Sequence, residues 1–195
     1  MNNGLAISIE QMVKEGVLSG DVLEMGSGMS FWTVPFTYPD AKRLGDLAAM
    51  AMVSQDYSTI NLVLHSQGSR VGLEALEAYA KLMSNSTDPI TINVVFGAPI
   101  AANGSKMNEA IGRLREEHPN WNINADIVMH NADGIGILGR TPESYQGLDN
   151  IGYRDATYSS KKNKHGTANI TGRDANSGQI IYKDQSDWIK NTLNR

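Results

Sequence analysis

Ile60-Asn61-Leu62-Val63-Leu64-His65-Ser66-Gln67-Gly68 is the stretch on which the fold turns. Ile60 to Leu64 carries almost no polar alternation, the pattern of a strand covered on both faces in a parallel sheet. From Gly68 to Leu82, the residues Val71, Leu73, Leu76, Tyr79 and Leu82 predict a helix with an apolar face. A buried strand that ends at a serine and turns at once into a helix lifts the hydroxyl clear of the sheet. It also brings the serine's backbone neighbours to the head of the helix, where unpaired N–H groups favour an anion. An ordinary strand–helix turn whose serine caps the helix gives the same local sequence.

Working outward, Ser30 to Tyr38 reads as a strand closed by Pro39, and Asp40 as the cap of a helix to about Gln55. Beyond the central helix, Pro89 to Phe96 reads as a buried strand and Lys106 to Glu117 as an amphipathic helix. Ile123 to His130 reads as another strand. The β-α-β-α-β-α-β alternation predicts an α/β fold, a three-layer α/β/α sandwich around a mostly parallel sheet. On the N-terminal side, residues 7–16 predict a short amphipathic helix and residues 21–25 a weak strand, broken by Gly26-Ser27-Gly28. Residues 134–178 are rich in Gly, Asn, Ser and Lys and read as loops, with a short strand in 155–159. Residues 179–182 suit a strand or a helix lead-in, and residues 186–193 a closing helix. No internal repeat stands out.

The 195 residues suit one domain with a full core. A net charge of −4 gives no general attraction to nucleic acid or to an anionic membrane. Cysteine is absent, which excludes disulfides and thiolate metal sites. Met1-Asn2-Asn3-Gly4 does not begin a signal peptide, and no run approaches the ~20 apolar residues that span a bilayer. Two settings remain open, the cytoplasm or export as part of a larger protein.

Three residues of complementary chemistry lie where an α/β sheet places reactive groups, beyond the carboxyl ends of its strands. They are Ser66 after strand 60–64, Asp133 after strand 123–130, and His165 in the late loops. Serine is a weak nucleophile until an imidazole accepts its proton. A carboxylate on the far ring nitrogen then fixes the tautomer and stabilises the cation. The chain order Ser, Asp, His is that of α/β-hydrolases. The Gln67 N–H is the expected first oxyanion donor, and the Gly26–Met29 loop, at Gly28 and Met29, is a candidate second. Residues 1–28 would then supply the N-terminal helix and oxyanion loop, and residues 134–178 a cap or base-bearing region.

His130 competes with His165 as the base, and Asp149 and Asp155 stand behind Asp133. Asp126, inside its strand, is less suited. His118 closes a helix, where a cation suits the dipole. The plainer alternatives are a turn residue before Gly134 for Asp133 and an exposed residue of a basic loop for His165, and the strand-end position favours the catalytic role for Asp133. Gly134-Ile135-Gly136-Ile137-Leu138-Gly139 suits an acyl pocket, a mobile cover or a buried loop. It lacks the Lys-Ser/Thr of a phosphate loop. No His pair has metal-ligand spacing on a helix.

Residues 34–170 resemble the lipase and esterase branch of the α/β-hydrolase superfamily. Tyr38-Pro39 before a helix, His65-Ser66-Gln67-Gly68-Ser69 at the turn and Phe96-Gly97-Ala98-Pro99 after the next strand carry the likeness. The last is similar to a segment of class three lipases, and Asn131-Ala132-Asp133-Gly134-Ile135 approximates their acid motif. The resemblance implies a reduced α/β-hydrolase fold and a carboxylic ester hydrolase working through an acyl-enzyme without cofactor or metal. Its substrate would be a lipid or other acyl ester, with transient contact at a membrane surface. A resemblance to C-terminal effector or toxin modules implies an inhibitor protein as a partner. Where the family has a small residue two before the serine, this chain has Leu64, so the turn must open slightly or pack differently. Two other readings use the same residues. One is an inactive interaction protein on a hydrolase scaffold. The other is a metal-dependent nuclease effector built on His165, Lys162, Lys164 and Asp174, against which the acidic balance argues.

Overall fold

A computed structural model describes Val13, Lys14, Gly16 and residues 38–66, 68–97, 104–130, 150–154, 171–173, 180–182 and 193. The first long helix, α1, spans Tyr38–Ser54. It begins two residues earlier than the sequence suggests, so Tyr38 does not end a strand and Asp40 is not the cap. Pro39 lies in the first turn, where its missing N–H would have had no intrahelical partner. Asp40 shares that turn and faces the positive end of the helix dipole. The rest of the strand expected over 30–38, and the weak strand at 21–25, lie outside the described residues.

Strand β1 (Thr59–His65), helix α2 (Gly68–Leu82), strand β2 (Thr91–Gly97), helix α3 (Gly104–Glu117) and strand β3 (Asn122–His130) follow in alternation. Strand β4 (Asn150–Arg154) completes a parallel sheet in the order β1-β2-β3-β4. Strands β5 (Thr171–Arg173) and β6 (Ile180–Tyr182) form a separate antiparallel pair. The segment at 179–182, open between strand and helix lead-in, is therefore strand at 180–182. Within the region 134–178 that reads as loops, residues 150–154 are a strand whose Ile151 and Tyr153 pair with Ile127 and Met129 of β3. Residues 155–159 lie outside the described residues. Of the closing helix expected over 186–193, Leu193 alone is described, and it is helical.

The register sorts the strand residues onto two faces. Ile60, Ile92, Val94, Phe96, Ile123, Ala125 and Ile127 project to one side and meet Leu73, Leu76 and Tyr79 of α2 and Met107, Ile111 and Leu114 of α3. Burying each large side chain here contributes about 1.5–3 kcal/mol before the entropy of ordering it. Helix α1 lies against α2, with Ala41, Gly45 and Ala49 buried at four-residue spacing. A methyl group on Gly45 would stand 2.6 Å from Glu74 Cβ and 2.8 Å from the Ala75 nitrogen, so the two backbones approach as only a glycine permits.

The opposite face of the sheet carries Asn61, Asn93 and Asn124 side by side. Asn124 Nδ2 donates to Asn93 Oδ1 at 2.8 Å, and Asn93 Nδ2 donates to Asn61 Oδ1 at 2.9 Å. Three strands thus begin with register-matched tripeptides: Thr59-Ile60-Asn61, Thr91-Ile92-Asn93 and Asn122-Ile123-Asn124. A one-residue slip would drive the amides into the apolar core and the isoleucines out of it. Asn93, Val95 and Asp126 on this second face are also buried, so the middle of the sheet is covered on both sides.

His118, just past the end of α3, is a packing residue. It is buried, and its ring stacks on Trp121 with centroids 3.9 Å apart. Trp121 in turn meets Tyr79 at 5.5 Å, which ties the end of α3 to α2. No helix among the described residues is long and apolar enough to cross a membrane.

Candidate active site

All four strands of the sheet run the same way, so their carboxyl ends share one edge. Ser66 follows β1 at that edge and is half-buried. Its φ is +55°, in the left-handed region that costs a side-chain-bearing residue roughly 1–2 kcal/mol. Among the described residues, the other non-glycine with positive φ is Asp56. That one has a local cause. It lies just past the end of α1, its N–H donates to the Val53 carbonyl, and helix exits adopt this conformation readily.

Ser66 instead follows a strand. It is not an ordinary cap, because helix α2 starts two residues later, at Gly68, and capping residues sit in the extended region. The Ser66 carbonyl accepts the Ser69 N–H at 3.2 Å, which links the serine to the first turn of α2. The turn delivers the chain from a strand into a helix within two residues, and the left-handed serine absorbs the reversal. Ser69 itself is fully buried, and its hydroxyl has no hydrogen-bond partner among the described residues.

Leu64, two residues before the serine, is accommodated by the helix and not by an opened turn. A methyl group on Gly72 would lie 2.1 Å from Leu64 Cδ1 and 2.6 Å from Cδ2. The space that a small residue would leave on the strand is supplied by a missing side chain on α2. The crowding expected at Leu64 is met by different packing, and Gly72 is the residue that sequence reasoning missed. Its signal was present. A glycine in the middle of a helix costs about 1 kcal/mol against alanine and so marks a close approach.

Strand pairing sets the neighbourhood of Ser66. His65 is level with Gly97 and Gly97 with Val128, so His130 extends two residues beyond that level on β3. Two strand spacings of ~4.8 Å separate β1 from β3 laterally, which places the His130 backbone on the order of 10 Å from the serine. Strand β3 ends three residues before Asp133, and β4, its neighbour, ends at Arg154, ahead of His165 in the chain. Asp133, His165, Gln67, Gly28 and Met29 lie outside the described residues, as do Asp149, Asp155, Lys162, Lys164, Asp174 and the 134–139 segment. Asp126, the acid least suited by sequence, is buried within β3 and level with Val95, well below the edge that carries Ser66. Among the described residues no group of His, Asp and Glu could hold a metal ion.

Comparisons with protein-family models, with curated proteins and with solved structures return no match to this chain.

Proposed function

We propose that this chain is a serine-dependent carboxylic ester hydrolase of lipase or esterase type, built on a reduced α/β-hydrolase fold. One observation carries the reading: the left-handed backbone of Ser66 between a buried parallel strand and the helix that follows. Strain of this kind persists where the surroundings over-determine it, and it concentrates at functional turns. The burial of β2 and β3 on both faces supports a three-layer sandwich. The parallel order of β1 to β4 supports a site assembled from successive strand ends.

In this mechanism Ser66 Oγ attacks the acyl carbon while His165 takes its proton. Asp133 holds the imidazole in the right tautomer, and the Gln67 N–H, with Gly28 or Met29, binds the oxyanion. The leaving alcohol takes the proton from His165, and water activated by the same ring releases the acid. His130 is the other candidate base, because β3 carries it to the same edge as the serine. Substrates would be small acyl esters or lipids.

A fluorophosphonate probe read by intact mass tests the assignment. The folded protein should gain one phosphonyl group, on Ser66, and Ser66→Ala should gain none. A folded wild type that stays unlabelled, or a Ser66→Ala protein that still labels, removes the hydrolase reading. Replacing the true base should slow labelling by about 10²–10⁴-fold, which separates His165→Ala from His130→Ala.

A further inference from the structure

Arg115 lies in the last turn of α3, and its guanidinium holds one backbone atom of the strand that follows. Its Nε donates to the Ile123 carbonyl at 3.2 Å and its Nη2 donates to the same oxygen at 2.7 Å. A backbone carbonyl has two acceptor positions, and both are taken here. The direction of that carbonyl follows from its neighbour. The Asn122 N–H donates to the Ile90 carbonyl at 2.8 Å, so the backbone groups of Asn122 face β2. Successive residues of a strand turn their N–H and C=O groups to opposite sides, so those of Ile123 face away from β2. That is the flank on which β4 pairs. Strand β4 starts at Asn150, level with Asp126 and three residues further along β3. Among the described residues, no strand pairs with this flank of β3 at Ile123.

We infer that Arg115 is an edge block: it occupies the acceptor through which a strand of a second copy of this chain would add to β3. An open strand flank is a template for pairing with another chain, and a charged side chain laid along it keeps the sheet from growing. Arginine suits the task. Its donors form a rigid fork, and its charge would have to be taken out of water for a second strand to displace it. A simple tie between helix and strand would use the same two bonds, but its loss would lower stability and leave association unchanged. The block is independent of the chemistry proposed for Ser66.

The test is sedimentation of the full chain, as wild type, Arg115→Met and Arg115→Lys, over a series of concentrations. Folded Arg115→Met should self-associate at a concentration about tenfold lower than the wild type does, or associate where the wild type shows none. That is the scale on which one unmasked backbone hydrogen bond acts. In the associated species the Ile123 amide should exchange about tenfold more slowly than in the monomer, because the new strand covers it. Protection confined to other segments overturns the block. So does an Arg115→Met protein that melts lower yet sediments as the wild type does, which leaves the helix–strand tie. If Arg115→Met fails to fold, Arg115→Lys decides, since it keeps the charge and loses the fork. Association beyond that of the wild type supports the block, and identical sedimentation overturns it.

Discussion

Leu64 of β1 and Gly72 of α2 are complementary in volume: the leucine occupies the space in which a side chain at 72 would have to sit, with Cδ1 2.1 Å from the position of a methyl group there. Strand and helix approach each other just behind Ser66, and this pair sets how closely. Gly72→Ala should therefore destabilise the fold by about 1–3 kcal/mol through overpacking, despite alanine's higher helix propensity. Leu64→Ala in the same chain should recover much of that loss. Denaturant unfolding of the four proteins of the cycle checks the coupling. Strictly additive effects would mean that the two residues do not share one space.

Ser66 makes a second prediction through its backbone. Glycine adopts φ near +55° without steric cost, whereas alanine keeps the strain of serine. Ser66→Gly should be more stable than Ser66→Ala by about 1 kcal/mol, the reverse of their order within helices and strands. Both should lose phosphonate labelling. Equal stabilities would show that the turn relaxes when the hydroxyl is removed.

For the amide ladder the asymmetry of buried hydrogen bonds matters more than their number. Asn93→Val alone leaves the Asn124 donor facing a methyl group and should cost about 1–3 kcal/mol. Replacing Asn61, Asn93 and Asn124 together by valine should cost less per residue, since no rung is left half-paired. That triple variant should also pair its strands less uniquely, because an apolar face tolerates slips that amides forbid. Chemical unfolding measures the first effect and amide-exchange heterogeneity the second.

Glu74 supplies a pH dependence. Burial against α1 raises its carboxyl above the ordinary value of 4.5, and Glu77 adds to the rise; Arg70 and Lys42 act the other way, and Asp46 adds weakly to it. The folded state thus holds the proton more tightly than the unfolded chain. That contribution to stability is complete below pH 4.5 and is lost as pH rises through the elevated folded value. Glu74→Gln should accordingly melt above the wild type at pH 7, and the two midpoints should converge on acidification to pH 4. A wild-type advantage at neutral pH would show that the attraction of Arg70 and Lys42 outweighs the desolvation of Glu74.

Much of this molecule was legible before any coordinates. Apolar periodicity placed α2 at its observed ends and located β1, β2, α3 and β3 within two residues, because a period of two or 3.6 is a local property that burial merely exploits. The serine turn was readable for the same reason: a buried strand, a small polar residue and an apolar helix stand next to one another in the chain. The start of α1 was misjudged because Pro39 suits both the end of a strand and the first turn of a helix. The strand at 150–154 is not legible in the loop-rich sequence around it because its pairing with β3 is a contact between distant segments.

Sequence alone determined the alternation of strands and helices, and with it a parallel sheet whose strand ends gather at one edge. Tertiary structure decided three further matters. It put Ser66 in a left-handed turn and not in a cap, made room for Leu64 at Gly72, and aligned three asparagines from three strands into one chain of hydrogen bonds. The asparagine chain joins segments far apart in sequence, and the other two depend on how closely a strand and its following helix pack, where steric exclusion and buried hydrogen bonds act and periodicity alone carries no information.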